Sequence, residues 1–127
     1  VVGTLAGAFE MPESWTGKTV SLKIVWTANN ASGLTVSWDF RYEMIGGNDT
    51  TSFDVARTAY NDEALTNQYD TGPTGARRRM AHSIALTASN FAADRTMLWE
   101  LSRNGVHATN DTLTVTAAVI KLLLGVA

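Results

Sequence analysis

The residues able to do chemistry are few, and their spacing works against them. The 127-residue chain carries two histidines, His82 and His107, and no cysteine. Zinc sites draw three or four ligands from Cys, His and carboxylate groups at short spacing. These histidines stand in different segments and neither has a partner histidine nearby, so neither a metal site nor a cofactor is expected. His82 adjoins Ser83. A serine nucleophile must touch its base, whereas neighbours on a strand point to opposite faces. The same parity separates Asp62 from Glu63 as a glycosidase pair. The chain has neither a Gly-x-Ser-x-Gly elbow nor a phosphate loop. We therefore expect no catalytic residue and no enzyme.

The remaining polar and aromatic clusters suit contact better than reaction. Asp49, Asp54, Asp62, Glu63 and Asp70 crowd the middle of the chain. Oxygen ligands from loops suit calcium, yet this spacing matches no calcium loop, and solvated turn carboxylates are the simpler reading. Arg77-Arg78-Arg79 is the one charge run. It reads either as a solvated strand that resists edge aggregation or as an anion or partner contact. Three arginines among 12 acidic residues do not make a nucleic-acid footprint. Trp15, Tyr60 and Tyr69 fall in or near loops, where a ring can stack on a sugar. The candidate contacts for a glycan or a protein partner are thus Trp15, Tyr60, Tyr69, Arg77 and Arg79.

Such residues need a scaffold, and period-two alternation supplies it. Leu34, Val36, Trp38, Phe40, Tyr42 and Met44 share one face of an extended chain, and Thr35, Ser37, Asp39, Arg41 and Glu43 share the other. Val20-Leu22-Ile24-Trp26, Met97-Trp99-Leu101 and Leu113-Val115-Ala117-Val119 repeat the pattern. Turn signals separate these runs, among them Gly46-Gly47-Asn48-Asp49 and Asn104-Gly105. Eight strands are expected, near 2–10, 19–28, 34–45, 50–58, 63–69, 77–88, 95–103 and 111–125, with a short helical turn over 88–94. They predict one all-β domain over residues 1–127, an antiparallel two-sheet β-sandwich of jelly-roll type. The chain is 45% hydrophobic and 17% charged with a net charge of −2. Neither nucleic-acid binding nor membrane insertion is expected from that balance or from its apolar runs.

The two ends of the chain break the alternation. In Ala117 to Val126 both faces are apolar, with Ile120, Leu122 and Leu124 on one and Val119, Leu123 and Gly125 on the other. The start, Val1 to Phe9, is similar. A strand covered on both faces lies beneath a loop of its own chain or against another subunit. The second alternative makes Val1, Val2, Leu5, Ile120, Leu122 and Leu124 an oligomer interface.

A family resemblance rests on four stretches. Met11-Pro12-Glu13-Ser14-Trp15-Thr16-Gly17-Lys18-Thr19-Val20 resembles a "Met-Pro-x-x-Trp-x-Gly-Gly-Thr-Val" turn of a module in tailed-phage structural proteins, departing from it at Lys18. A strand ending Trp26-Thr27, a Val36-Ser37-Trp38 strand and the stretch Asp111-Thr112-Leu113-Thr114-Val115-Thr116-Ala117 continue the likeness. Residues 48–79 match nothing in that module. The resemblance implies a non-enzymatic virion protein on the particle exterior: a homotrimeric jelly-roll module of a fibre or spike that attaches to the host surface, or a decoration protein on the capsid. Its implied partners are other virion proteins and a host surface glycan. A free-standing carbohydrate-binding module is the alternative for a sandwich with loop aromatics.

Overall fold

The computed structural model describes residues 3–29, 33–47, 52–105 and 109–126. The protein is an all-β, antiparallel two-sheet sandwich. Its strands are β1 (Thr4–Glu10), β2 (Val20–Ala28), β3 (Thr35–Gly46), β4 (Glu63–Thr71), β5 (Met80–Leu86), β6 (Arg95–Arg103) and β7 (Ala117–Val126). One sheet has the order β1-β6-β3-β4 and the other β5-β2-β7. The alternating runs become its inner faces: Val20, Leu22, Ile24 and Trp26 meet Val36, Trp38, Phe40, Tyr42, Met97 and Leu101 in one buried core. Trp26 and Trp38 meet edge to face across the sheets, ring centroids 6.1 Å apart at 73°, as the ring quadrupoles prefer.

The ladder has seven strands among the described residues rather than eight. The expected strand over 50–58 does not form. Residues 52–60 instead fold over the outside of the four-stranded sheet, with a 3-10 turn at Arg57–Ala59. Val55 and Tyr60 cover Ile45 and Leu98 there, so the segment's apolar groups serve a face rather than a ladder. The expected strand 77–88 begins only at Met80. Arg77 has φ 60°, a left-handed conformation that cannot continue a strand, and its N–H donates to Ala28 O at 3.0 Å. A 3-10 turn does occur at Ala88–Asn90.

The end strands also differ from expectation. β1 and β7 lie at sheet edges, each with one strand neighbour among the described residues, so neither is a central strand. Val1 and Val2 lie outside the described residues. In β7 the register shifts: Val25 pairs with Lys121, but Trp26 pairs with Val119. Ile120 is the extra residue of a β-bulge, and a bulge changes which face the following residues occupy. Ala117, Val119, Leu122 and Leu124 accordingly pack toward the core. Ile120 does not share a face with Leu122 and Leu124, and it stands 57% exposed.

In β1, Gly7 pairs with Trp99. A Cβ at Gly7 would come within 2.8 Å of the Trp99 ring. The indole therefore lies over a backbone that only glycine leaves open.

Candidate functional site

Among the described residues, the groups with reactive potential are drawn into structural bonds or left apart. Asp62 Oδ2 accepts the Met44 N–H at 2.6 Å. Glu63 Oε1 accepts the Tyr42 hydroxyl at 2.6 Å and the Thr87 N–H at 2.9 Å, while its Oε2 accepts the Thr87 hydroxyl. Asn90 Nδ2 donates to both Tyr42 Oη and Asp62 O, each at 3.1 Å. This network ties β3, β4 and the turn after β5 together. Asp70 Oδ2 accepts the Trp26 indole N–H at 2.8 Å, a bond between the two sheets. His82 faces inward on β5, its Nε2 buried without a hydrogen-bond partner among the described residues, and Ser83 is exposed on the opposite face. His107 and Asp49 lie outside the described residues. Among the described residues, no three of His, Asp and Glu gather as a metal-binding group.

Burial raises the pKa of Tyr42 far above its ordinary value of 10, with the Glu63 hydrogen bond adding to the shift. The folded state therefore holds this phenol neutral. Its contribution to stability is complete below pH about 10, where an unfolded tyrosine is still protonated, and falls as pH rises beyond that value. In urea melts, the wild type should lose stability above pH 10 more steeply than Tyr42→Phe. Equal slopes would show that Tyr42 titrates normally in the fold.

The five candidate contact residues do not converge. Trp15 is half-buried, stacked on Phe9 with centroids 5.5 Å apart, at the end of the sandwich where β1 finishes. Gly17, at φ 69°, turns the chain there and donates to Phe91 O at 2.9 Å. Tyr60 is not an exposed loop ring: it is 8% exposed, buried on Ile45 and Leu98. Tyr69 is 53% exposed on β4, opposite Ser37 and thus near the other end. Arg77 and Arg79 are exposed just before β5, also near that end through the bond of Arg77 to Ala28.

Two features escaped the sequence reading. The first is a buried ion pair. Arg103 Nη2 and Nε meet Asp111 Oδ1 and Oδ2 at 2.6 and 3.0 Å. Asp111 Oδ2 also accepts the Ser37 N–H at 3.0 Å. Arg103 further donates to the carbonyls of Val115 at 3.0 Å and Leu113 at 2.5 Å. The pair clips residues 111–116 across the end of β3, where the N–H groups of Thr112 and Leu113 both donate to Thr35 O at 2.9 Å. Those residues were expected to begin the last strand and instead form this arm.

The second is an open seam. The sandwich is stitched on its β4–β5 side by the Trp26–Asp70 and Glu63–Thr87 bonds. Its β1–β7 side gapes, with two apolar-lined cavities along it. One, of about 250 Å³, lies between Leu5, Leu101, Trp38 and Val119. The other, of about 220 Å³, lies between Phe9, Trp99, Leu122 and Leu124. Leu5 pairs with Leu101 and shares the inward parity of Gly7 and Phe9, yet it is 45% exposed. The buried indole N–H of Trp38, on the wall of the first cavity, has no partner among the described residues.

Comparison with family models, with curated proteins and with solved structures finds no match. The functional reading therefore rests on this geometry and on the sequence motifs.

Proposed function

We propose that this chain is a non-enzymatic structural module of a tailed-phage particle. It would work as a homotrimer, either in a fibre or spike that attaches to the host surface or as a decoration protein on the capsid exterior. One observation carries the reading: the residues that bear the resemblance are those that make the framework. Met11 is buried in the core cluster, Trp15 lids the end of β1, Trp26 and Trp38 form the cross-sheet aromatic contact, and Asp111 anchors the arm. A module defined by framework residues is suited to being built into a larger assembly. The open apolar side offers that assembly a surface. The carbohydrate-binding alternative is weakened by the burial of Tyr60 and by the separation of Trp15 from Tyr69.

Light scattering of the purified chain should give the mass of three copies, and antibody raised against it should label intact phage particles at regularly spaced positions. A monomer that leaves particles unlabelled and binds glycans on an array would replace this reading with the alternative.

A further inference from the structure

The open β1–β7 side asks for a partner with particular properties. It presents two strand edges, one from each sheet, that have no second neighbour among the described residues. A lone extended peptide can pair with either edge, but it leaves the other unpaired. Neighbouring copies of this chain supply a strand for each of the two edges. Directions agree as well. β1 runs parallel to β3, since both are antiparallel to β6, and β7 is antiparallel to β2. β2 and β3, in opposite sheets, run in opposite senses, since Trp26 late in β2 meets Trp38 early in β3 while Leu22, earlier in β2, lines a cavity with Phe40, later in β3; β1 and β7 therefore run the same way. Turning copies about an axis along the strands sets β1 of one against β7 of the next, and such a ring closes.

The area suffices too. Strands of 7 and 10 residues run about 23 and 33 Å, and packed sheets stand about 10 Å apart. With side chains the open side measures roughly 25 by 20 Å. That is about 500 Å² per copy and about 1,500 Å² over a ring of three, of the order of one standard specific interface. The open side's exposed large apolar residues are Leu5, Ile120 and Val126, at 45–57% exposure.

We propose that neighbouring copies of this chain dock on the β1–β7 side, β1 of each copy set against β7 of the next around a ring of three, so that every apolar seam is closed. This deepens the assembly reading above and rests on its claim that the chain self-associates.

The test uses charge at the exposed seam positions. Leu5→Lys and Ile120→Glu should each lower the light-scattering mass threefold, from three chains to one. Thr66→Glu, exposed on β4 at the far edge of its sheet, should leave the mass unchanged. Near-ultraviolet circular dichroism should confirm that all three variants keep the wild-type fold. The chain has no cysteine, so an introduced pair, one on each edge strand, offers an independent readout. Because β7 of one copy lies against β1 of the next, an equimolar mixture of Leu5→Cys and Ile120→Cys chains should give a mixed disulfide-linked pair under mild oxidation, and a mixture with Thr66→Cys in place of Ile120→Cys should not. A trimer that survives both charge substitutions and gives no such crosslink would overturn this face and leave the trimeric reading standing. A two-chain mass abolished by the same substitutions would support the face and overturn the trimer. A wild-type monomer would end both.

Discussion

Replacing Asp111 with Ala should lower the stability of this domain by about 3–5 kcal/mol, the usual cost of stranding one member of a buried ion pair. The Asp111 carboxylate is only 1% exposed and the Arg103 side chain 9%, so water cannot take over the lost contacts. The Arg103 guanidinium would keep its bonds to the Leu113 and Val115 carbonyls but carry an unbalanced charge in the interior. The Ser37 N–H would lose its acceptor as well. For a domain of this size the expected fall in melting temperature is about 10–20 °C. The pair itself need not be strongly stabilising, because desolvation offsets much of its attraction. Arg103→Met combined with Asp111→Leu should therefore recover most of the loss. Calorimetry on the two single variants and the double variant decides the point. If Asp111→Ala melts within about 2 °C of wild type, which corresponds to well under 1 kcal/mol, the clip is incidental. The arm should also become sensitive to protease in Asp111→Ala before the sandwich unfolds, since it loses the bonds of Asp111 to Arg103 and Ser37.

That pair shows how far the sequence can be read. The parity of Met97, Trp99 and Leu101 extends to Arg103, so strict alternation already points an arginine into the core. An inward charge requires a buried partner, and Asp111 is the first carboxylate after it. The signal was present, but it depended on following the alternation one residue beyond the apolar run. The bulge at Ile120 left a similar trace. Lys121 shares the parity of Val119, and a lysine cannot be buried beside a valine without a partner, so the alternation had to break between them. The remaining apolar residues of β7 fit either face and conceal the slip. The inner faces of β2, β3 and β6 were legible because each alternates apolar with polar residues at period two, Val25, Ile45 and Leu98 apart. The flap over 52–60 was not. Val55 and Tyr60 are spaced for neither a strand nor a helix, and their burial depends on Ile45 and Leu98, distant in sequence. The open seam was visible only as an excess of apolar residues near the chain ends, since strand order decides which edges meet.

Trp26→Ala should be the most damaging single core substitution. Trp26 is fully buried and its ring meets Trp38 across the sheets. Truncating such a side chain costs about 3–5 kcal/mol in lost burial and cavity formation. A further loss of about 1–3 kcal/mol is expected because Asp70 Oδ2 would lose its buried donor. The sum approaches the total stability of an ordinary domain, about 5–15 kcal/mol, so the variant should be largely unfolded at physiological temperature. Trp26→Phe separates the two contributions. It keeps most of the apolar volume but removes the indole N–H, and should cost about 1–3 kcal/mol. Asp70→Asn retains an acceptor for Trp26 and should cost less than Trp26→Phe, because it leaves the cross-sheet bond in place as a neutral one. Urea midpoints for the three variants should therefore fall in the order Asp70→Asn, Trp26→Phe, Trp26→Ala, from mildest to most severe. If Trp26→Phe were as stable as wild type, the Asp70 bond would be a passenger, and the β4–β5 side would owe its closure to packing and to Glu63 alone.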